Sequence, residues 1–411
     1  MSAETLPAPC PPYLALENAA FTLGLRPTGI HAVLLPVWSV QVRAKVTEAQ
    51  PYDLIDRFVE RGIAEAGLAT AGEVASFLAL DPALVAQALA FLTAIDHVTE
   101  EDGRLGLTAL GRRSVKDGKR YTVTHDDRRS LYFDGFRSGP LTTAHYRNDT
   151  VVRVPHDGAA AGWHRGPRPH RLMAHPFRDE AVRELADDPG REGFNLPAGV
   201  DGLERVGAPE CLHLPAYVVR AAEDDGRTRH LVYTRAHDGE HDVLLSAACE
   251  QTPECVHALR NEELAAARSV ERRITGWLSD QDLGQFPPVR DAQGAWRVTL
   301  PRERVGAGGP VGLHRIGGFV VLGGSFFQFW CEDRDTRAWA LVERLDRQFG
   351  ARLRHDPAGL RARVDSLSRQ LELGQVDLEA LRRAATAKGK HGLAERLRAA
   401  RLNSRSETGH E

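Results

Sequence analysis

Lysine is scarce. Lys45, Lys116, Lys119, Lys388 and Lys390 are the only lysines in 411 residues, and arginine supplies the rest of the 53 basic side chains. The bias fits the codon usage of a GC-rich bacterial genome better than selection for planar, bidentate donors. Cysteine is also sparse. Cys10, Cys211, Cys249, Cys255 and Cys331 are an odd, scattered set, which excludes a disulfide framework and fits a reducing cytoplasm. Long apolar runs are missing: the stretch Gly29 to Val46 is interrupted by His31, Pro36, Arg43 and Lys45. A bilayer span needs about 20 apolar residues, so no membrane partner is expected. Met1 to Pro12 carries Glu4 and no Lys or Arg, unlike the basic opening of a signal peptide. Finally, 53 basic against 56 acidic residues leave a net charge of −3, so any polyanion site must be local.

Most motifs that carry a known chemistry are absent too. There is no Gly-x-Ser-x-Gly elbow, no Walker loop, no kinase signature and no helical His-Glu-x-x-His spacing. Gly306-Ala307-Gly308-Gly309 is not a dinucleotide loop, because Val311 stands where the third glycine belongs. No cofactor is expected.

What remains is an ordinary globular composition, 42 % hydrophobic and 27 % charged, long enough for two or three domains. Trp38, Val40, Val42, Ala44 and Val46 alternate with Ser39, Gln41, Arg43 and Lys45, a period-two strand with one wet face. Residues 1–50 are therefore read as an N-terminal β arm that packs on later chain. Residues 117–350 are read as an α+β domain. Its expected strands lie at Lys119 to Thr124, Val151 to Val154, Trp296 to Leu300 and Phe319 to Leu322, with a three-strand meander at Leu214 to Arg220, His230 to Arg235 and Asp242 to Ala247. Residues 158–176 read as a long polar loop, Pro176 to Ala186 as a helix, and Thr252 onward as a long helix. Asp335 is placed as the cap of a further helix with Trp339, Val342, Leu345 and Phe349 inward and Gly350 just past its end. Residues 351–403 carry helical stripes (Leu360, Val364, Leu367, Leu371; Leu378, Leu381, Ala385; Leu393, Leu397), and 404–411 read as a disordered tail.

Residues 51–116 are the most legible. Leu54, Ile55, Phe58, Val59 and Ile63 recur at helical spacing; Val74, Phe77 and Leu78 are placed inward on a second helix. Asp81-Pro82 starts a third helix with Leu84, Val85, Ala88, Leu89, Leu92 and Ile95 apolar. A strand at His97 to Thr99, the turn Glu100-Glu101-Asp102-Gly103 and a return strand at Leu105 to Leu107 follow, closing on Leu107-Thr108-Ala109-Leu110-Gly111. This order resembles the winged helix-turn-helix domain, and the Leu-Thr-x-x-Gly ending resembles that of bacterial winged-helix proteins. The resemblance implies a third helix that enters the DNA major groove on Arg, Lys, Asn or Gln side chains. Here that helix has no Arg or Lys; its polar members are Gln87 and Thr93. Ten acids over 51–115 (Asp53, Asp56, Glu60, Glu65, Glu73, Asp81, Asp96, Glu100, Glu101, Asp102) face five arginines (Arg57, Arg61, Arg104, Arg112, Arg113), a balance of −5. Phosphate contacts supply most nucleic-acid affinity, so this domain is expected to dock protein instead.

Four other clusters are candidate sites. Lys388, Lys390, Arg396, Arg398, Arg401 and Arg405 oppose only Glu395 and suit nucleic acid or an acidic partner. His314 and Ser325 faintly resemble a phospholipase D-type half-site, in which a histidine attacks phosphorus and a lysine holds the phosphoryl oxygens. Ile316 stands at the lysine position, so that resemblance implies a degenerate nuclease. Cys211, His213, Cys249, Cys255 and His257 offer zinc ligands without paired-knuckle spacing. His145, His156, His164, His170 and His175 offer a second weak metal set, and Cys331 reads as a buried thiol.

The combined reading is an α+β chain: a winged helix-turn-helix domain, a mixed central domain and a helical C-terminal segment. It is expected to act as a non-catalytic interaction or scaffold subunit of a bacterial assembly working on nucleic acid, in defence or repair. The alternatives are a DNA- or RNA-binding regulator acting through the basic C-terminal helices, and the degenerate nuclease.

Overall fold

The computed structural model describes residues 8–149, 151–155, 169–237, 239–267, 269–291, 294–351 and 357–407. A short helix α1 (Pro12–Glu17) passes through a π-helical turn into β1 (Arg26–Gln50), a strand of 25 residues. Helices α2 (Leu54–Ala66), α3 (Ala71–Leu78) and α4 (Pro82–Ala94) follow, then the strands β2 (Val98–Glu101) and β3 (Arg104–Leu107) and helix α5 (Ala109–Asp117). Next come β4 (Arg120–Asp134), β5 (Val154–Pro155), β6 (His170–Arg171), α6 (Glu180–Asp187), β7 (Val200–Arg205), β8 (Glu210–Ala222) and β9 (Thr228–Tyr233). The last third holds α7 (Val243–Glu250), α8 (Pro253–Ala267), α9 (Val270–Asp280), β10 (Val289–Arg290), β11 (Trp296–Thr299), β12 (Phe319–Leu322) and β13 (Ser325–Trp330). Four helices end it: α10 (Arg334–Ala351), α11 (Pro357–Gln370), α12 (Leu378–Ala387) and α13 (His391–Glu407). The α+β class holds. No helix among the described residues is long and apolar enough to cross a membrane.

β1 is no arm. Its first half pairs with β8 and its second half with β4, while β6 and β7 complete its two edges. It is the central strand of a seven-stranded, mainly antiparallel sheet in which β9 and β5 flank β8. Residues 29–37 are buried on both faces, and a strand covered on both sides loses its alternation, so only 40–46 show period two. Pro36 is tolerated inside this strand because of where its missing donor falls. Its carbonyl accepts from Gly135 N on the β4 edge, and a strand residue points N and O to the same edge. The absent N–H therefore lies on that edge, between the end of β6 and the start of β4 pairing, and the β8 ladder loses nothing.

A second sheet has the order β10-β11-β13-β12, with β11 and β13 parallel. It joins the first through a shared core: Ile30, Leu34, Tyr217 and Tyr233 meet Phe326 and the α1 residues Ala15 and Leu16. On its far side α9 to α13 form one apolar core with Phe327 and Phe329. The boundary expected at 350 therefore does not divide the packing. A buried ion pair, Arg344 to Glu17, ties α10 to α1, and Gln370 donates to the Gly317 carbonyl at 2.5 Å.

Several local expectations need correcting. Residues 243–250 are helix, not the third strand of a meander. Asp242 makes a single bridge to Val232 and then caps α7, its carboxylate accepting from Leu245 N at 3.0 Å. The long helix from Thr252 breaks at Ser269 into α8 and α9. Asp333, not Asp335, caps α10, through Thr336 N at 2.9 Å. α6 begins at Glu180, and part of the expected loop is β6; 158–168 lie outside the described residues. α13 runs to Glu407, past the start of the expected tail, and 408–411 are not described.

The helical C terminus is structural. Leu378, Leu381, Leu393 and Leu397 are each at most 5 % exposed in the α9–α13 core. At about 1.5–3 kcal/mol per buried leucine, losing all four forfeits about 6–12 kcal/mol. That rivals a whole domain's stability of about 5–15 kcal/mol. A chain ending at Gly374 is expected to lose cooperative urea unfolding and to bind a hydrophobic dye, whereas a chain ending at Glu407 should match the intact protein in both assays.

Candidate protein-docking surface

Each helix of the 54–107 unit is fixed by its ends. Asp53 accepts from Ile55 N at the start of α2, and Gly67 ends it in the left-handed region. Thr70 and Glu73 form a reciprocal capping box on α3. Asp81 caps α4 with Pro82 at its first turn. Asp102-Gly103, both at positive φ, turn β2 into β3, and Val98 pairs with Leu107. Val59, Ile63, Val74, Val85, Leu89, Leu92 and Val98 fill the centre. The Leu107-to-Gly111 ending has a steric reason: a Cβ on Gly111 would lie 2.3 Å from the His97 carbonyl oxygen, so α5 closes on the unit only with glycine there.

A buried polar pair anchors the unit to the sheet. Glu60 and His97 are fully buried, with Oε1 to Nδ1 at 2.5 Å. Tyr52 donates its hydroxyl to Glu60, and His97 Nε2 lies 2.5 Å from the Tyr121 carbonyl at the start of β4. Burial pushes the His97 imidazole down, but Glu60 and the Tyr121 carbonyl outweigh it and raise it above its ordinary 6.5.

The outward surface departs from the sequence reading. Phe77, expected inward, and Leu54, Phe58 and Leu84, read on apolar helical stripes, are 37 to 67 % exposed, as is Phe91, which no stripe included. They are five of the thirteen large exposed hydrophobics among the described residues, and they sit within 38 positions. Leu84, Gln87 and Phe91 share one face of α4 by their spacing, with Ala83, Ala90 and Ala94 also exposed. α4 itself supplies no charged side chain to that face, and the Arg120 guanidinium at the start of β4 lies 5.3 Å from the Phe91 ring centre. Glu100, Glu101 and Asp102 are exposed on the neighbouring hairpin.

The other sequence candidates fall elsewhere. Lys388 lies 3.8 Å from the Trp339 ring centre, and Lys390 pairs with Asp346 at 2.7 Å and Glu343 at 3.2 Å. Both lysines thus pin the α12–α13 turn onto α10. Arg396 and Arg398 are exposed on α13, and the side chains of Arg401 and Arg405 lie outside the described set. His314 and Ser325 sit at opposite ends of the β12–β13 hairpin. Ile316 bridges Phe329 while Ser325 pairs with Leu322, a separation of about 13 Å at 3.3 Å per residue. Ser325 accepts from Arg273 at 2.7 Å, so no phosphodiesterase pair is assembled.

The expected zinc set does not converge. Cys249 and Cys255 are buried with sulfurs 2.8 Å apart, and their mutual hydrogen bond and burial push the Cys249 thiol well up. His213 is buried on β8 beside half-buried Cys211, and His257 is exposed on α8. Cys331 is buried, as expected. Of the five histidines, His156 and His164 lie outside the described residues. His170 is on β6, and His175 is half-exposed near Glu254. His145 instead meets His237 and Asp242, with the ligating atoms of all three within 4.8 Å; this is the one such group among the described residues. No motif pointed to it, because His237 follows β9 in a turn and Asp242 reads as a strand residue.

Removing one partner of a buried charged pair costs about 3–5 kcal/mol. Glu60→Ala is therefore expected to lower the opening free energy of the 54–107 unit by about that amount, read by amide hydrogen exchange. The raised His97 value sets a sign: its contribution is complete below about pH 6.5 and fades as pH rises through the folded value. Wild-type protection should fall on the alkaline side, and His97→Gln should flatten that slope. Comparison with protein families, with curated proteins and with solved structures finds no match, so the reading of this surface rests on its own residues.

Proposed function

We propose that residues 54–107 form a winged-helix unit that docks a protein, and that the chain is a non-catalytic interaction subunit. The observation that carries this reading is the α4 face: Leu84, Gln87 and Phe91 are exposed there, and α4 itself supplies no cation. A helix that enters the major groove needs Arg or Lys against phosphate, and the −5 balance over residues 51–115 opposes that field. The same features suit a protein surface with an apolar centre and a basic rim. Aromatic side chains supply most of the energy at such contacts, while charges at the rim guide approach. The partner is thus a basic protein segment. The setting in a cytoplasmic bacterial assembly acting on nucleic acid follows from the likeness of this unit to winged helices.

The basic C-terminal route to nucleic acid is less favoured, because Lys388 and Lys390 are already engaged with Trp339, Glu343 and Asp346. The test starts from the tagged full chain and the protein it retains in its own cells, identified and then purified. Leu84→Arg and Phe91→Arg are each expected to weaken binding at least tenfold, about 1.4 kcal/mol, with helix content unchanged. Affinity should fall as salt rises. Two results overturn the reading: variants that bind as well as wild type, or duplex DNA that binds the chain and loses affinity on Gln87→Ala.

A further inference from the structure

Three side chains from separate elements converge beside the first sheet. His145 sits in a 3₁₀ turn (Thr143–Tyr146), His237 in the turn after β9, and Asp242 at the N-cap of α7. His145 Nε2 is 2.7 Å and His237 Nε2 is 3.3 Å from the same oxygen, Asp242 Oδ2. His145 and Asp242 are each 2 % exposed, and His237 is 32 % exposed. We propose that His145, His237 and Asp242 bind a first-row divalent metal ion.

The donor geometry fits that role. Asp242 Oδ1 is occupied by Leu245 N at 3.0 Å, which leaves Oδ2 as a single ligand aimed at both imidazoles. Both histidines present Nε2 to one point. His145 Nδ1 lies 3.3 Å from the Thr142 carbonyl and 3.2 Å from the Thr142 hydroxyl. Metal-bound histidines commonly give their second nitrogen to such a backbone oxygen, which fixes the ring. The His145 backbone is itself held, its carbonyl accepting from Arg153 at 2.7 Å. Tetrahedral bonds of about 2.0–2.1 Å set ligand separations of about 3.3 Å, the spacing His237 already has from Asp242, and His145 at 2.7 Å would move out by about 0.6 Å.

Chemistry narrows the ion. Two imidazoles and one carboxylate suit zinc, iron(II) or cobalt(II); magnesium and calcium favour oxygen-rich sets. Three protein ligands leave a coordination position for water or a small anion, the arrangement of open rather than closed sites. The exposed edge of His237 is where solvent reaches the group. Arg147, the cation facing this cluster, donates to the Ala236 carbonyl at 2.6 Å and leaves the carboxylate to the histidines.

The site is independent of the docking surface, and its test uses the full chain stripped by a chelator. Zinc(II) is titrated by calorimetry, and cobalt(II) by absorption. One equivalent is expected to bind, with no thiolate charge-transfer band in the cobalt spectrum. His237→Ala and Asp242→Asn should each lower affinity at least tenfold, and Cys249→Ser should not change it. Asn also caps helices, so Asp242→Asn keeps α7, and His237 lies partly in solvent, so its loss leaves the core intact. Zinc should raise the unfolding midpoint of wild type but not of these two variants. The absence of stoichiometric binding by either metal, or binding that survives both variants, would identify the cluster as a hydrogen-bonded staple and sink the proposal.

Discussion

The β1 ladder is the constraint on which the rest depends. One 25-residue strand pairs with four others along its two edges and packs against α1 near the start of the chain. Its N-terminal half lies in the core shared with Phe326 of the second sheet; its C-terminal half leads into the 54–107 unit. Because a strand's side chains alternate faces, a slip of one residue would turn Val40, Val42, Ala44 and Val46 out of the core. The long-range partners therefore have a single workable register. That register places Gly135 against Pro36 and brings Leu141 and Thr142, beyond β4, towards the site of Asp242.

Buried polar pairs do the joining that hydrophobic packing alone leaves unspecific. Arg344 with Glu17 links α10 to α1, and His97 with Glu60 links the hairpin base to α2. His97 also reaches the backbone of Tyr121, so one imidazole spans three elements. Such pairs contribute little net energy against an apolar replacement, but leaving one partner unpaired is costly, and so they discriminate against wrong docking. Asp242 works in the same way within the sheet's flank: one oxygen caps a helix while the other gathers two histidines.

Local signals in the sequence correspond well to local structure. The cap at Asp81, the alternation of 40–46 and the stripes of α11 to α13 were all legible, because each depends on neighbours within a few residues. What depends on distant chain was not. Residues 29–37 showed no alternation because β8 and the second sheet bury them from both sides. Asp242 to Ala247 had a strand-like composition, and only the Leu245 N–H and the Val232 carbonyl decide that the chain turns into helix there. The change of composition near 350 has no counterpart in the packing, because the core of α9 to α13 runs across it, and β1, which ends at Gln50, pairs with β4 and β8 far along the chain. The His145–His237–Asp242 group was not legible as a set, although His145 was noted, because His145 lies 97 positions before Asp242 and no periodicity marks the three.

The exposure of Leu54, Phe58, Phe77 and Leu84, read as stripe residues, and of Phe91 beside them is of a different kind. Periodicity identifies an apolar side chain but not which apolar side chains find a neighbour. A unit of this size has a centre filled by Val59, Ile63, Val74, Val85, Leu89 and Leu92, and the surplus is left outside. Leaving several large apolar groups in water on a small unit is unfavourable unless something covers them part of the time. Acids outnumber bases two to one over residues 51–115, and Glu100, Glu101 and Asp102 are exposed on the adjacent hairpin, a sign of charge that opposes a phosphate backbone. They do not exclude a protein, whose arginines pair with carboxylates and whose apolar side chains cover Leu84 and Phe91 at the same time. Sign of charge and lack of charge on one helix thus point the same way, although each arises from different residues.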